Sequence, residues 1–283
     1  MDEKKFELNL IVVLFKRENA EQFFLHNYRI LKENNIKLVL VDNGDNEKIV
    51  PNGLTIMYIK NKENYGYGRS INIASTFVET DYFLISNDDI IFEKEFFKKL
   101  EQRINEYREK NYAIVGFNIY SNVSFRKGIQ KKSYDPFVIF YHFSFLPFIL
   151  SLFDKKSNGY LGVWEGIHFY KSSKEVYGVN GSLMLVKKES FEKVGKFDPG
   201  FFLTYEETDL FLRLKKQSFK IFYESKLKAF HKHNLSATKE SLNYSFKSMD
   251  YFLEKHYGKK VKNFVNIYLK IFLFLKKMVK LNR

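Results

Sequence analysis

The residues able to do chemistry in this chain are acids and amides that interrupt apolar runs. In Asp81-Tyr82-Phe83-Leu84-Ile85-Ser86-Asn87-Asp88-Asp89-Ile90, a β-prone stretch ends in adjacent carboxylates before Ile90, Ile91 and Phe92 resume the apolar pattern. Two acids do not sit inside a strand uncompensated, because desolvating a carboxylate is costly. Oxygen donors at a strand end suit Mg2+ or Mn2+, hard ions that also neutralise a diphosphate. By itself the pair serves equally as a polar turn, with Asp88 or Asp89 capping a helix that starts near Lys94. A second acidic group, Glu206, Glu207 and Asp209, follows Phe201-Phe202-Leu203-Thr204-Tyr205 and opens a helix whose apolar face is Leu210, Phe211 and Leu214. The helix macrodipole stabilises acids in a first turn. Three are more than a cap requires, and a carboxylate at such a junction, facing a cleft, is placed to act as a general base. Ala229-Phe230-His231-Lys232-His233 reads as a strand end whose alternate imidazoles share one side, a usable ligand geometry. Asn64-Tyr65-Gly66-Tyr67-Gly68 precedes a helix, where glycines allow close backbone approach and the helix start favours phosphate. That stretch lacks both the third glycine of a dinucleotide fingerprint and the Gly-Lys-Ser/Thr of a P-loop, so an ordinary glycine-rich turn is the simpler reading of it alone.

Such residues need a frame to bring them together. Leu8 to Phe15 is a continuous apolar run suited to a buried parallel strand. Residues 20–34 follow helical spacing, with Phe23, Phe24, Asn27, Ile30 and Leu31 on neighbouring turns. Further strands are predicted over 37–41, 55–59, 82–86 and 113–117, and helices over 70–79 and 96–107. This β-α-β rhythm predicts an α/β fold with a doubly wound, mixed but mostly parallel sheet flanked by helices, and ligands at the carboxyl ends of its strands. Asp42-Asn43-Gly44 and Asn87-Asp88-Asp89 fall at such ends. That agreement raises the metal–nucleotide reading of the acid pair above the cap reading.

At 283 residues the chain makes one large domain or two small ones, with ample material for a core. The absence of cysteine excludes disulfides and thiolate-bound metals. A net charge of +14 points to an anionic partner: a nucleoside diphosphate, a phospholipid surface or nucleic acid. Met1-Asp2-Glu3-Lys4-Lys5 leads straight into an apolar strand, so no signal peptide is expected.

Taken in chain order, Asp42-Asn43, Asn64-x-Gly66-x-Gly68-x-x-x-Asn72, Asn87-Asp88-Asp89, Gly181, Gly195-x-Phe197-Asp198, Glu206-Glu207-x-Asp209-Leu210-x-x-Arg213 and His231-x-x-x-x-Ser236 resemble family 2 glycosyltransferases of the GT-A fold, in the rhamnosyltransferase-like branch. The likeness runs from about Leu8 to Ser236. It implies an inverting, metal-dependent enzyme of bacterial polysaccharide or glycolipid synthesis. Such an enzyme moves a hexosyl or deoxyhexosyl group from a dTDP- or UDP-sugar to a saccharide or lipid-linked saccharide. The resemblance also implies residue roles. Asp42 and Asn43 contact the base and ribose; Asn64, Gly66 and Asn72 line the nucleotide–sugar pocket. Asn87-Asp88-Asp89 stands at the Asp-x-Asp metal motif, with Asp89 the ligand, Asn87 and Asp88 beside the donor, and His231 a further ligand to Mg2+, Mn2+ or the diphosphate. Glu207 is the general base; Glu206, Asp209, Arg213 and Gly181 support the acceptor side or the structure around it. The chain departs from the family pattern in four places. Asn87 replaces the first Asp, Glu207 is one methylene longer than the usual Asp, Lys16 stands where Asn is common, and Ser218 stands where Gly is frequent.

Two segments are peculiar to this chain. Residues 136–153 carry no charge and seven aromatic side chains, within an insertion over about 128–172 of a catalytic domain spanning 1–258. Pro147 and His142 argue against a membrane span of ~20 residues. An acceptor-side lid, a dimer contact, an interfacial insertion and a buried helix pair remain as readings. The tail over 259–283 has eight Lys or Arg and no acid. Its Val261, Phe264, Val265, Tyr268, Phe272, Leu275 and Val279 follow helical spacing opposite Lys259, Asn263, Asn266, Lys270 and Lys277. This predicts a basic amphipathic helix at an anionic membrane interface, making the protein peripheral at the cytoplasmic face. Packing on the domain or in a homodimer is the other use of such a helix. Two other function classes fit less well. A nucleotidyltransferase wants a basic glycine-rich loop near the N-terminus, and Phe15-Lys16-Arg17-Glu18 offers no glycine there. A nucleic-acid-binding protein fits the charge, but the basic residues gather in the tail rather than in a reader motif, so no nucleic-acid partner is expected.

Overall fold

Apolar runs with period 2 become strands, and stretches with period 3.6 become helices that cover them. The computed structural model describes residues 7–44, 50–120, 172–232 and 239–281. The elements in order are β1 (Asn9–Leu14), α1 (Arg17–Glu33), β2 (Lys37–Asp42), β3 (Thr55–Lys60), α2 (Tyr67–Ser75), β4 (Tyr82–Asn87), β5 (Ile90–Phe92), α3 (Phe96–Glu109), β6 (Tyr112–Tyr120), β7 (Lys174–Val176), β8 (Leu183–Lys187), α4 (Lys188–Lys193), α5 (Glu206–Lys216), β9 (Lys220–His231) and α6 (Lys239–Leu281). The strands form one sheet in the order β3-β2-β1-β4-β8-β6-β9-β5, with β7 on β9. β3, β2, β1 and β4 run parallel. β8 lies antiparallel between β4 and β6, β6 and β9 are parallel, and β5 and β7 add antiparallel to β9. This is the doubly wound mixed sheet that the β-α-β rhythm predicts.

Alternation along each strand feeds two cores. On one face Leu10, Val12 and Leu14 of β1 meet Phe23 and Leu31 of α1 and Phe96, Phe97 and Leu100 of α3. On the other, Ile11 joins Ile71 of α2, Phe191 of α4 and Leu210, Phe211 and Leu214 of α5. Phe23, Phe96, Phe97, Phe117, Phe191, Phe197, Phe201 and Phe211 are all fully buried. Each such burial contributes roughly 1.5–3 kcal/mol, so the phenylalanine-rich composition is core material for both layers.

The structure decides three local points. The acids of 88–89 do not cap a helix: β5 intervenes, and α3 begins after Glu95. The helix predicted over 70–79 starts instead at Tyr67 and ends at Ser75, because Gly66 takes φ 78° and lets the chain turn directly into it. The tail helix is the second arm of α6, set off by a kink at Gly258 (φ 83°, ψ 167°). That arm packs Val265 and Leu269 on Met249 and Leu253, with Val261, Tyr205 and Tyr257 alongside. Among the described residues no helix is long and apolar enough to cross a membrane. The uncharged stretch 136–153 and its insertion, together with His233 and Ser236, lie outside the described residues.

Candidate active site

The strand order reverses across β1, which has β2 on one side and β4 on the other. This topology opens a crevice at the carboxyl ends of the strands. The register sets Asp42 opposite Leu14 and Asn87 opposite Val13, so the two polar strand ends flank the same point. Asp42 Oδ1 accepts from the Gly44 amide at 2.8 Å. Its Oδ2 accepts from the Tyr58 hydroxyl at 2.6 Å and from Lys60 Nζ at 3.2 Å. Asn43 Oδ1 accepts from Asn61 Nδ2 at 2.7 Å and Ser70 Oγ at 2.9 Å, and its Nδ2 donates to the Gly66 carbonyl at 3.1 Å. Asn64 Oδ1 accepts from the Gly66 amide at 2.9 Å and so shapes the glycine turn. A Cβ on Gly66 would lie 2.2 Å from the Phe202 carbonyl oxygen, so only glycine permits this contact between loops from the two halves of the chain. Asn72 faces elsewhere: its amide donates to the Phe197 carbonyl at 2.7 Å and accepts from the Phe197 amide at 3.0 Å, clamping α2 to the turn before Asp198. Tyr58 and Lys60 were not anticipated. They occupy alternate positions of β3, and the register that pairs Lys60 with Asp42 puts them on its side.

The metal-motif acids are assembled by β5 and β9. Ile90 pairs with His231, which brings Nε2 to 2.9 Å from Asp89 Oδ1. The approach is off the line of a hydrogen bond, and this buried oxygen accepts none. Asp88 is held from the other side by Asn19 Nδ2 at 3.4 Å. Burial, then the neighbouring Asp89 charge, pushes the Asp88 carboxyl up to about 7. Fully buried Asn27 pins β5 through Ile90 O at 2.8 Å and the Phe92 amide at 3.0 Å. A buried carboxylate oxygen with no hydrogen bond, a carboxyl with no ion pair among the described residues and an imidazole fit a divalent cation in donor type. Among the described residues no three such groups converge on one point. Mg2+ typically takes only one or two protein carboxylates and completes its shell with phosphate and water, so two donors from the protein suffice.

The second acidic group meets the first around Tyr67. Its hydroxyl lies 3.3 Å from the Gly181 carbonyl oxygen. Burial, followed by the charges of Glu206, Glu207, Asp88 and Asp89, raises its pKa well above the usual tyrosine value. Both acid pairs therefore act through their charge on one hydroxyl, although they come from the β4–β5 turn and from the start of α5. Glu206 is buried, whereas Glu207 is half-buried and abuts Gly181, where a Cβ would lie 3.2 Å from Glu207 Cγ. Thr204 and Tyr205, just ahead of these acids, hold φ of 65° and 66°. Left-handed backbone costs a non-glycine residue roughly 1–3 kcal/mol and persists only where the surroundings enforce it. Here Ser248 Oγ donates to the Leu203 carbonyl at 2.8 Å, and the Phe202 and Tyr244 rings lie 4.3 Å apart. Asp209 and Arg213 serve as support. Fully buried Asp209 accepts from Arg213 Nε at 2.8 Å and Lys255 Nζ at 2.6 Å, with His256 Nε2 at 2.8 Å. Burial works to raise its pKa, but the hydrogen bonds from His256 and Lys255 and the charge of Arg213 outweigh it and hold Asp209 at about 2. Arg213 also donates to the carbonyls of Val194 and Lys196.

This arrangement has counterparts among known proteins. The family model described as Glycosyl transferase family 2 matches residues 10–194, a span that ends before Glu206. The rhamnosyltransferase WbbL of Escherichia coli (strain K12) is 27% identical over 232 residues, covering 78% of this chain and 82% of that protein. Among solved structures, GalNAc-T7 with UDP, GalNAc and Mn2+ superposes with a TM-score of 0.57 at 12% identity over 96% of this chain, which spans only 56% of that one. Staphylococcus aureus TarS 1-349 gives a TM-score of 0.51 at 10% identity, covering 88% of this chain and 72% of that one. These likenesses show the GT-A fold.

Proposed function

Because this chain belongs to glycosyl transferase family 2 and is a glycosyltransferase, we propose that it transfers a hexosyl or deoxyhexosyl group from a dTDP- or UDP-sugar to a saccharide or lipid-linked saccharide, with inversion. The observation that supports this reading is that the Asn87 amide donates to the Ser182 carbonyl at 2.9 Å while the adjacent Gly181 abuts Glu207, which sets both acidic groups about one loop at the crevice. Asp42, with Tyr58 and Lys60 beside it, receives the nucleoside. The Gly66 loop brings backbone close to the donor, and Asn87 and Asp88 border the sugar diphosphate. A divalent cation, when held by Asp89 with His231, supplies positive charge against the diphosphate leaving group. Glu207 takes the proton of an acceptor hydroxyl as that oxygen bonds to the anomeric carbon. The carbon–oxygen bond to the diphosphate breaks, and its electron pair leaves with the nucleotide. One displacement inverts the carbon and needs no covalent enzyme intermediate. Tyr67, kept protonated by burial and by the surrounding acids, donates to the Gly181 carbonyl and so helps hold that loop beside Glu207.

The test is incubation with a panel of nucleoside diphosphate sugars and saccharide acceptors, with Mg2+, Mn2+ or chelator, reading diphosphate release and the anomeric configuration of the product by NMR. One donor class, turned over only with metal and giving inverted product, is the expected result. Retained configuration, or no release from any donor, overturns the reading.

A further inference from the structure

Among the described residues, the second arm of α6 buries apolar side chains on one side and exposes others on another. Val265 and Leu269 are buried against Met249 and Leu253. Ile267, Ile271 and Phe274 are 60%, 50% and 63% exposed. At helical spacing these three fall within about a sixth of the circumference, forming an outward stripe. Lys259, Lys260 and Lys270 are exposed around it. Contiguous apolar patches rimmed by polar groups mark interaction surfaces rather than ordinary solvent-facing helix.

We propose that this stripe is the surface by which the protein lies on an anionic phospholipid bilayer, its apolar side chains entering the interface and the lysines meeting the headgroups. The charge selects this occupant over a second copy of the chain. Residues 259–283 carry eight Lys or Arg and no acid, so docking stripe to stripe would set like charges against each other, whereas an anionic surface matches both the apolar stripe and its basic rim. The docking also bears on geometry. Tyr205 packs against the cluster that this arm shares with the first arm, and the first arm holds the Leu203 carbonyl through Ser248, so the bilayer lies on the helix that supports the loop leading into Glu207.

This inference does not depend on the sugar-transfer reading, and its test separates the two. Full-length protein is sedimented with phosphatidylcholine vesicles, with or without phosphatidylglycerol, at low and high salt. Binding is expected only to the anionic vesicles and should weaken at least tenfold, roughly, from low to high salt. The Ile267→Glu/Phe274→Glu double variant, altered only at exposed positions, is expected to lose roughly tenfold or more of that binding while keeping its thermal midpoint. Lys260→Gln/Lys270→Gln should weaken binding at low salt and flatten the salt dependence. Three results overturn the proposal: wild-type protein that ignores anionic vesicles at low salt, a double variant that binds like wild type, or a dimer seen by light scattering that the double variant abolishes while vesicles are ignored. Loss of donor turnover with vesicle binding intact would count against the enzymatic reading alone.

Discussion

At the scale of single residues, the choice of base rests on exposure. Glu206 and Glu207 are consecutive, yet Glu206 is buried while Glu207 is half-buried beside Gly181, where an acceptor hydroxyl can reach it. Glu207→Gln keeps the size and removes the basicity, so kcat is expected to fall by roughly 10²–10⁴ with nucleotide affinity nearly unchanged. Steady-state rates together with calorimetric nucleotide binding check this; near-normal turnover would move the role to Glu206. Asp89 has a buried oxygen with no hydrogen bond, and in the proposed reading the charge of its carboxylate holds the cation. Asp89→Asn keeps the shape, and we expect Mn2+ affinity in the presence of nucleotide to drop at least about tenfold. Unchanged affinity by calorimetry would take Asp89 out of the site.

At the scale of elements, the N-terminus of α5 is held in place by α6. The left-handed residues Thr204 and Tyr205 precede it, and Asp209 in its first turn ties Lys255 and His256 of α6 to Arg213. The sign of the pH effect follows from the direction of the Asp209 shift. Its folded value of about 2 lies below the ordinary 3.8, so the ionised form stabilises the fold. That stability is fully present above about pH 4 and is lost as the pH falls toward 2. The contribution is of the order of 2 kcal/mol. Asp209→Asn is expected to be less stable than wild type at pH 6, with the gap in unfolding free energy narrowing between pH 4 and 2. Parallel urea-denaturation profiles for the two proteins across that window would show that Asp209 is not the source of acid sensitivity.

At the scale of the whole molecule, the sheet builds the crevice and the last helix closes over its far side. The two faces of the tail make opposite predictions for similar side chains two positions apart. Leu269→Ala removes a buried side chain from the Met249–Leu253 contact and should cost roughly 2–3 kcal/mol. Ile267→Ala alters an exposed position and should stay within about 0.5 kcal/mol. Equal costs by chemical denaturation would mean that the arm packs in another orientation.

Local pattern alone carried much of this. Short apolar runs and period-3.6 spacing placed β1 to β4, α1 and α3 to within a few residues, and the polar ends of β2 and β4 marked the crevice. These features are legible because strand and helix sterics repeat along the chain, and because a carboxylate cannot be buried in a strand without compensation. The sequence order of the motifs also carried the family resemblance. Tertiary structure decided what depends on pairing between distant segments. Tyr58 and Lys60 reach Asp42 through the β2–β3 register, His231 reaches Asp89 through β5 against β9, and Asn87 bonds the loop whose Gly181 abuts Glu207. Asn72 reads as a pocket residue in one dimension, yet its side chain holds the Phe197 turn instead. The tail showed one amphipathic helix, and the kink at Gly258 divided its apolar side chains between the core and the surface. Periodicity states which face of an element is apolar; only the packing of the other elements determines what that face meets.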